Sequence, residues 1–321
     1  MGGECIMTHR RLVADVGGTW SRFGVSDGPG RLSDVRSYPT APQSSFAETM
    51  ARYAADIGAA PATDSFASVL VAAAGPVDSG VVQLTNSTWR IAAGEISSDH
   101  GGVPVRLIND LEAVGLLLPH LADADIRPIG GAVTGGLVGN RIAVNVGTGF
   151  GAATAIRAGH GRWAIAAGEA GHMSLPGGLP DENAGFAGMS SIEDVLSGSG
   201  VVRLHAAVAR ARGTPEVKLA DTSLFASARS NPTAAATVDL VSRLLGRVCG
   251  DLVLATASWD GVFLCGSVAK AWSENTDGRI FRDAFEHKGP MSARMARVPA
   301  HVIVSSDPAL RGLTHATDNG D

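Results

Sequence analysis

Two short glycine turns carry the residues best suited to hold a phosphate. They are Gly17-Gly18-Thr19 and Gly147-Thr148-Gly149. Because glycine has no Cβ, successive amides of such a turn can converge on an anion, and the threonine hydroxyl adds a further donor. A single turn of this kind is more simply explained as an ordinary hairpin that needs glycine for its backbone angles. Two matched copies favour phosphate binding.

The two turns belong to one repeated pattern. Residues 13–25 align with residues 143–155 without a gap, and Asp15 then stands opposite Asn145. A carboxylate in one copy only is what a single metal–phosphate site would show, so Asp15 is a candidate for Mg²⁺ bound through water. Neither turn is a Walker A loop, because the closing Lys-Ser or Lys-Thr pair is missing. Neither opens a Rossmann unit, because a strand pattern follows each turn.

A second set of polar residues suits the hydroxyl groups of a sugar. It contains Asn109, Asp110, Glu169, His172 and Glu193. Asn109 and Asp110 stand where an apolar strand gives way to a helix, which is the usual place for a ligand-facing residue in α/β proteins. Taken alone, Asp110 is better explained as a helix cap. A polar site made from such residues would strongly reject sugar analogues that lack a hydroxyl.

Glu169 and His172 also have the Glu-x-x-His spacing of half a di-iron site. That site needs a helix and a second copy of the motif. Gly168 and Gly171 argue against a helix at this position. We therefore disfavour a metal site here.

The elements that must position these residues follow an alternating pattern. Apolar runs predict strands at 11–16, 20–26, 68–73, 81–84, 105–108, 261–265 and 301–305. Helices are predicted after Asn109-Asp110, after a capping box of Ser190/Ser191 with Glu193/Asp194, over 233–257, and from Asp307-Pro308. Strands that alternate with helices, together with two hairpins, predict an α/β protein with mixed sheets and a duplicated architecture.

Composition excludes several classes of function. The chain has 321 residues, which suggests two domains, and a net charge of −5, which disfavours nucleic acid and anionic membranes as partners. The three cysteines Cys5, Cys249 and Cys265 form no CxxC pair, so a disulfide framework is not expected. The chain shows neither a signal peptide nor a membrane-spanning segment, and we expect a reduced, cytoplasmic location.

Across nearly its whole length the chain resembles bacterial glucokinases of the hexokinase/actin-like ATPase superfamily. The resemblance rests on LVADVGGTWSR, LINDLEAVG, VGTGFGAA, GEAGHMSLP, SIEDVLSGSGVV and GVFLCGSVAKAW. The repressor-type sugar kinases differ by a zinc-binding cysteine cluster. The resemblance implies a duplicated, ribonuclease H-like α/β fold with a small domain (1–119 plus 306–321), a large domain (120–305) and an interdomain cleft for the sugar.

The resemblance also assigns roles to residues. It implies phosphorylation of D-glucose to glucose 6-phosphate by ATP and Mg²⁺, with Asp110 as the catalytic base and a homodimer as the assembly. The sugar ligands would be Asn109, Asp110, Glu169, His172 and Glu193. The nucleotide side would comprise Asp15, Gly17, Gly18, Thr19, Gly147, Thr148, Gly149 and, for adenosine, Gly266.

Three positions depart from the family pattern. Trp20 replaces the usual Asn after the first turn, Ala170 replaces a Gly, and Ser267 replaces the second Gly of a pair. The named sugar ligands do not separate glucose from mannose or glucosamine, so a kinase for another hexose is an alternative, as is one with a different phosphoryl donor. A non-catalytic sugar sensor is a weaker alternative, because a pure binder needs neither Asp110 as base nor Asp15 for metal.

Overall fold

The computed structural model describes residues 10–40, 45–59, 66–84, 88–131, 133, 136–176, 188–215 and 220–317. Contacts divide the chain into two compact units. Unit 1 comprises residues 1–120 and 306–321, and unit 2 comprises residues 121–305. Cys5 and both outer ends of the chain, 1–9 and 318–321, lie outside the described residues.

The strands of unit 1 form one mixed sheet and one small hairpin. They are β1 Arg11–Val16, β2 Trp20–Gly28, β3 Arg31–Pro39, β4 Ser68–Ala73, β5 Val81–Gln83, β6 Arg90–Ala92 and β7 Val105–Asn109. The large sheet has the order β3-β2-β1-β4-β7, and β5 pairs with β6. β1, β4 and β7 are parallel, whereas β2 and β3 run antiparallel to their neighbours. The carboxyl ends of the three parallel strands therefore share one edge.

Helices α1 Phe46–Asp56, α2 Ala93–Asp99 and α3 Asp110–Leu117 complete the first part of unit 1. On α1 the buried residues Phe46, Met50 and Tyr53 follow helical spacing and pack into the core, where Tyr53 stacks on Phe23 of β2 at 5.3 Å. Ser45 caps this helix by accepting a hydrogen bond from the Glu48 amide. The amphipathic pattern and the cap together explain why a helix forms here.

Unit 2 repeats the order of unit 1. Its strands are β8 Ile126–Pro128, β9 Arg141–Val146, β10 Phe150–Gly159, β11 Arg162–Gly168, β12 Val262–Cys265 and β13 Ala300–Ile303. They form one sheet with the order β11-β10-β9-β12-β13-β8. β9, β12 and β13 are parallel, and β10 and β11 are antiparallel to their neighbours. The duplicated architecture predicted from the two hairpins is confirmed.

The helices of unit 2 pack on this sheet around a core of aliphatic and aromatic residues. They are α4 Gly198–Ala211, α5 Asp221–Ser227, α6 Pro232–Thr256, α7 Ser267–Asn275, α8 Arg279–Glu286 and α9 Ser292–Met295. The long helix predicted over 233–257 is confirmed as α6. Cys249 and Cys265 are buried, and neither is in a disulfide.

A last helix, α10 Pro308–Leu313, returns to unit 1. Gly312 lies so close to α3 that a Cβ on it would overlap the carbonyl oxygen of Ala113. Arg11 fixes the following residues, because its guanidinium donates to the carbonyls of Thr314 and Ala316, each at 2.7 Å. The predicted start of this helix at Asp307-Pro308 is confirmed.

Other predictions need correction. The capping-box residues do not begin the helix after 190–194, because α4 starts at Gly198 and its cap is Ser197, whose hydroxyl accepts from the Gly200 amide. No apolar run in the sequence predicts β3 or β11, because both lie at sheet edges and expose most of their residues. Among the described residues, no helix is long and apolar enough to cross a membrane.

Candidate active site

The first glycine turn joins β1 to β2 and is held in place by Thr40. The Thr40 hydroxyl donates to the Gly17 carbonyl at 2.8 Å, and the Thr40 amide donates to the Thr19 carbonyl at 2.9 Å. Thr40 is fully buried, and its hydroxyl also meets that of Ser21. Because the carbonyl oxygens of Gly17 and Thr19 accept hydrogen bonds from Thr40, they point toward Thr40 and not toward an anion at the turn. The turn is thus compatible with an approaching anion.

The first turn is one residue longer than the second. Val16 pairs with Ser21 across the first hairpin, whereas Val146 pairs with Phe150 across the second. The gapless alignment of the two sequences therefore does not carry over to strand pairing. The difference arises at Trp20, the first residue of β2, which precedes the first pair between β1 and β2; Trp20 is 47% exposed, while Phe150, which pairs with Val146, is buried. The departure from the family pattern coincides with this longer turn.

Asp15 lies near the carboxyl end of β1 beside a shared arginine. Its Oδ2 is 3.5 Å from Nη1 of Arg22, its cross-strand partner, and Nε of Arg22 is 3.4 Å from Oδ1 of Asp307. Burial raises the pKa of the Asp15 carboxyl above its usual range; Arg22 opposes this shift and Asp307 adds to it. The structure thus places Arg22 between two carboxylates.

Asn109 and Asp110 stand at the junction of β7 and α3. Asn109 is the helix cap: its Oδ1 accepts from the amides of Leu111 at 2.9 Å and Glu112 at 3.4 Å, and its Nδ2 donates to the Gly75 carbonyl. Assigning the cap to Asp110 is wrong, because the cap must be the extended residue before the first turn. Asp110 is the first helical residue, and its Oδ1 accepts from the Leu111 amide at 2.9 Å.

The second glycine turn joins β9 to β10 and meets the start of α4. The Gly147 carbonyl accepts a hydrogen bond from the Gly198 amide at 2.8 Å. Gly266 follows β12, which is parallel to β9, and has a φ of +95°. A Cβ on Gly266 would overlap the Val146 carbonyl. Unit 2 therefore brings the predicted second phosphate turn and the predicted adenosine glycine to one sheet edge.

The segment with Glu169 and His172 is paired with the segment that carries Glu193. The Glu193 amide donates to the Gly171 carbonyl at 2.9 Å, and the Ile192 amide donates to the Met173 carbonyl at 3.0 Å. Glu169 and His172 are themselves joined through one turn, since the His172 amide donates to the Glu169 carbonyl. Backbone pairing thus brings together the three sugar ligands predicted in unit 2.

Glu193 is anchored beside the second glycine turn. Its Oε2 accepts from the Phe150 amide at 2.8 Å. A Cβ on Gly149 would lie 2.8 Å from this oxygen, and one on Gly171 would lie 3.3 Å from it and overlap the Phe150 carbonyl. The carboxylate therefore lies where the two glycines leave room. Ala170, which departs from the family pattern, packs into the apolar core.

Ser191 and Asp194 form the reciprocal pairing expected of the capping box. The Ser191 amide and hydroxyl both donate to Asp194 Oδ2 at 2.9 Å, and the Asp194 amide donates to the Ser191 hydroxyl at 3.3 Å. The amides of Ser191 and Ser190 lower the pKa of Asp194 to about 2. The pairing fixes the turn that presents Glu193, four residues before the Ser197 cap.

The structure groups the predicted residues within each unit. Unit 1 holds Asp15, the first turn, Asn109 and Asp110 at the carboxyl edge of its parallel strands. Unit 2 holds the second turn, Gly266 and the Glu193 segment. Among the described residues, no three His, Cys, Asp or Glu side chains group as a metal site. Asp15 provides a carboxylate beside the first glycine turn, and such a hard oxygen fits Mg²⁺ that keeps its waters.

Sequence reasoning missed several residues that support the site. Thr40 follows β3, a largely polar strand with no apolar run to reveal it. The Gly75 carbonyl accepts a hydrogen bond from the side-chain amide of Asn109. Gly75 has a φ of +138°, a backbone angle that favours glycine, so the glycine in AAAGPV is the sequence signal for this position. Gly198 stands in SGSG, where two serines obscure which residue caps α4.

Known proteins named glucokinase match this chain over nearly its whole length. The family model "Glucokinase" matches residues 12–320. A glucokinase of Stenotrophomonas maltophilia is 34% identical over 94% of this chain and 92% of its own length. A glucokinase from an Antarctic psychrotroph has a TM-score of 0.82, is 26% identical and covers 96% of this chain and 98% of its own.

A more distant structure shares the fold. A ROK family glucokinase from Streptomyces griseus, solved in complex with glucose and AMPPNP, has a TM-score of 0.63 and 21% identity. It covers 94% of this chain and 97% of its own length. At this identity the likeness concerns the fold alone.

Proposed function

Because this chain belongs to the glucokinase family, it is a kinase that phosphorylates a sugar with ATP, and we propose that its sugar is D-glucose and its product glucose 6-phosphate. The names of the relatives support glucose, and the Streptomyces griseus structure contains glucose together with an ATP analogue. The side chains at all five predicted sugar positions suit hydroxyl recognition. The predicted fold class, a duplicated actin-like α/β fold with mixed sheets, is confirmed.

We assign the ATP phosphates to the two glycine turns and adenosine to the region of Gly266. The carbonyls of both turns bond to donors of the protein, Thr40 in one case and Gly198 in the other. Gly198 also begins α4, so the positive end of a 14-residue helix lies beside the second turn. A helix N-terminus favours a nearby anion. These features support phosphate binding at both turns.

Asp15 is the proposed contact for Mg²⁺. Mg²⁺ associated with nucleotides commonly takes one or two protein carboxylates, phosphate oxygens and water, and Asp15 provides one such carboxylate. When bound, the ion would neutralise charge on the phosphates. Phosphoryl transfer then asks the protein chiefly for positioning.

Asp110 is the proposed base. It would accept the proton of the primary hydroxyl while that oxygen bonds to the γ-phosphorus, the bond from phosphorus to the bridging oxygen breaks, and ADP leaves. Asn109, Glu169, His172 and Glu193 would bind the remaining sugar hydroxyls. We propose residues 1–119 with 306–321 as the small domain and residues 120–305 as the large domain.

One observation in unit 1 carries this proposal. Asp15 lies next to the last residue of β1, and Asn109 is the last residue of β7, with only β4 between the two strands. Two strand spacings separate them by roughly 10 Å at the same sheet edge. Asp110, the candidate base, directly follows Asn109 as the first residue of α3, so it lies at the same edge of the sheet as the candidate metal ligand.

A hexose panel with ADP release as readout tests the function. We expect glucose-dependent ADP release in the presence of Mg²⁺, with mannose, glucosamine and fructose as competitors for comparison. Turnover of another hexose with none of glucose would overturn the glucose assignment. Sugar binding without ADP release would favour the sensor. The homodimer and the cytoplasmic location stay predictions, to be checked by light scattering and cell fractionation.

A further inference from the structure

Asp307 combines two unfavourable local features. Its backbone is left-handed, with φ and ψ both 51°, although it is not glycine and precedes Pro308. Residues other than glycine rarely adopt this region, and a residue before proline avoids helical angles. Aspartate is also a preferred helix cap, yet the Asp307 carboxylate makes no capping hydrogen bond to α10. Its carbonyl alone receives the Arg311 amide, at 3.0 Å.

The carboxylate of Asp307 instead faces Arg22. Oδ1 lies 3.4 Å from Nε of Arg22, and Nη1 of the same guanidinium lies 3.5 Å from Oδ2 of Asp15. All three side chains are partly buried, with exposed fractions of 24% for Asp307, 38% for Arg22 and 19% for Asp15. One arginine is thus shared by two carboxylates, and one negative charge is left over.

The shared arginine keeps Asp15 from a close ion pair of its own. A direct pair of arginine and carboxylate normally brings nitrogen and oxygen to roughly 2.7–2.9 Å. Both distances here are longer, as expected when a planar guanidinium is held between two acceptors. Without Asp307, Arg22 would have Asp15 as its nearest remaining carboxylate and would close on it. A closely paired Asp15 would compete with metal for the same oxygen.

We propose that Asp307 is a positioning residue of the nucleotide–metal site, acting through Arg22 to keep the Asp15 carboxylate accessible to Mg²⁺ and its waters. This inference rests on the proposed function of Asp15. Backbone strain persists at functional sites when the surrounding structure maintains it. The left-handed backbone of Asp307 and the missing capping hydrogen bond are then explained by the contact of its carboxylate with Arg22.

The test separates stability from metal binding. Asp307→Asn and Asp307→Gly both suit left-handed backbone, so both variants are expected to fold, and glycine should hold or raise the melting temperature. Asp34→Gly is the matched control: Asp34 is another left-handed aspartate of unit 1, with φ 52° and its carboxylate 3.9 Å from Arg10. Mn²⁺ with AMPPNP is the probe, and free Mn²⁺ is measured by electron paramagnetic resonance.

We expect both Asp307 variants to bind Mn²⁺·AMPPNP about tenfold more weakly than the wild type, as for other residues that orient a metal ligand. Calorimetry should show unchanged glucose binding, and Asp34→Gly should retain wild-type metal–nucleotide binding. A purely structural role of Asp307 would not weaken binding in a variant of equal or higher melting temperature.

Wild-type binding of Mn²⁺·AMPPNP in both Asp307 variants would overturn the inference, as would an equal loss in Asp34→Gly. If the wild type itself fails to bind Mn²⁺·AMPPNP, the nucleotide side of the proposed function falls together with the inference. If instead the hexose panel fails for glucose, only the sugar assignment falls, because the Mn²⁺·AMPPNP measurement contains no sugar.

Discussion

The carboxylate of Glu193 accepts a hydrogen bond from the amide of Phe150, with 2.8 Å between Oε2 and the nitrogen. Phe150 is the first residue after the second glycine turn, so a proposed sugar ligand is tied to the end of a proposed phosphate turn. The Glu193 amide meanwhile donates to the Gly171 carbonyl at 2.9 Å. Glu193 therefore joins the second glycine turn to the segment that carries Glu169 and His172.

This arrangement predicts different outcomes for alanine at two glycines. In Gly149→Ala the new Cβ meets Oε2 of Glu193, the end of a side chain that can move. We expect a higher KM for the sugar and a change in unfolding free energy within about 0.5 kcal/mol. In Gly171→Ala the Cβ meets the Phe150 carbonyl, which cannot move alone, and we expect a loss of about 1–3 kcal/mol. Urea unfolding and KM measurements on both variants test this prediction. A larger loss of unfolding free energy in Gly149→Ala than in Gly171→Ala would contradict it.

Asp110→Asn should separate catalysis from binding. The amide keeps the shape of the side chain but cannot accept the sugar proton, so we expect kcat to fall by about 10²–10⁴-fold with glucose affinity nearly unchanged. Glu112→Gln is the matched control on the same helix, because Glu112 pairs with Arg106 at 3.4 Å. Steady-state kinetics and calorimetry give the two readouts. Turnover near that of the wild type in Asp110→Asn would remove Asp110 from the role of base.

Thr40→Val should act on the first phosphate turn. Valine has nearly the same shape but leaves the Gly17 carbonyl without its hydroxyl donor, so we expect a loss of about 1–3 kcal/mol in stability and a higher KM for Mg-ATP. Thr49→Val is the control, because the buried Thr49 hydroxyl also donates to a carbonyl, that of Ser45, on α1. Thr49→Val should lose stability alone. An equal rise of KM for Mg-ATP in both variants would argue against a specific role of Thr40.

His315 predicts a pH dependence of stability. Its ring stacks on His120 at 3.8 Å, and burial, followed by the charges of His120, Arg311 and Arg11, lowers its pKa to about 4. In the unfolded chain the pKa of this histidine is about 6.5, so between pH 6.5 and pH 4 the unfolded state is protonated while the folded state is not. The stability that His315 contributes is complete above pH 6.5 and is lost as the pH falls toward 4.

His315→Phe keeps a flat ring on His120 and removes the titrating group. We expect its melting temperature to fall less than that of the wild type between pH 7 and pH 4.5. Thermal unfolding in a series of buffers at constant ionic strength measures the two slopes. Parallel slopes would show that His315 does not contribute to the acid sensitivity.

The parts of the site predictable from sequence are those that follow apolar strands. β1, β4 and β7 are short apolar runs, and the residues at their ends, Asp15 and Asn109, reach the same edge because parallel strands share it. The glycine turns were equally visible, since each interrupts such a run. The local sequence pattern was sufficient to predict these elements because burial requires apolar residues along each strand.

Three features could not be read from the sequence. Thr40 follows an edge strand whose exposed residues are polar, so no periodic pattern marks it. The additional residue in the first turn is invisible in a gapless alignment and appears only in the pairing of Val16 with Ser21. Asp307 before a proline is read as a helix cap, whereas its carboxylate is directed to Arg22 by contacts distant in sequence.

The return of α10 to unit 1 has a consequence for how the chain is made. Gly312 of α10 lies against Ala113 of α3, and Arg11 bonds to Thr314 and Ala316, although all of unit 2 separates these partners in the chain. Domains tend to fold as they emerge from the ribosome. Unit 2 can therefore complete its core on the nascent chain, while the helix that carries Asp110 receives α10 only after all of unit 2 has been made. The order of assembly therefore differs from the order of the chain, because unit 1 begins first and is completed after unit 2.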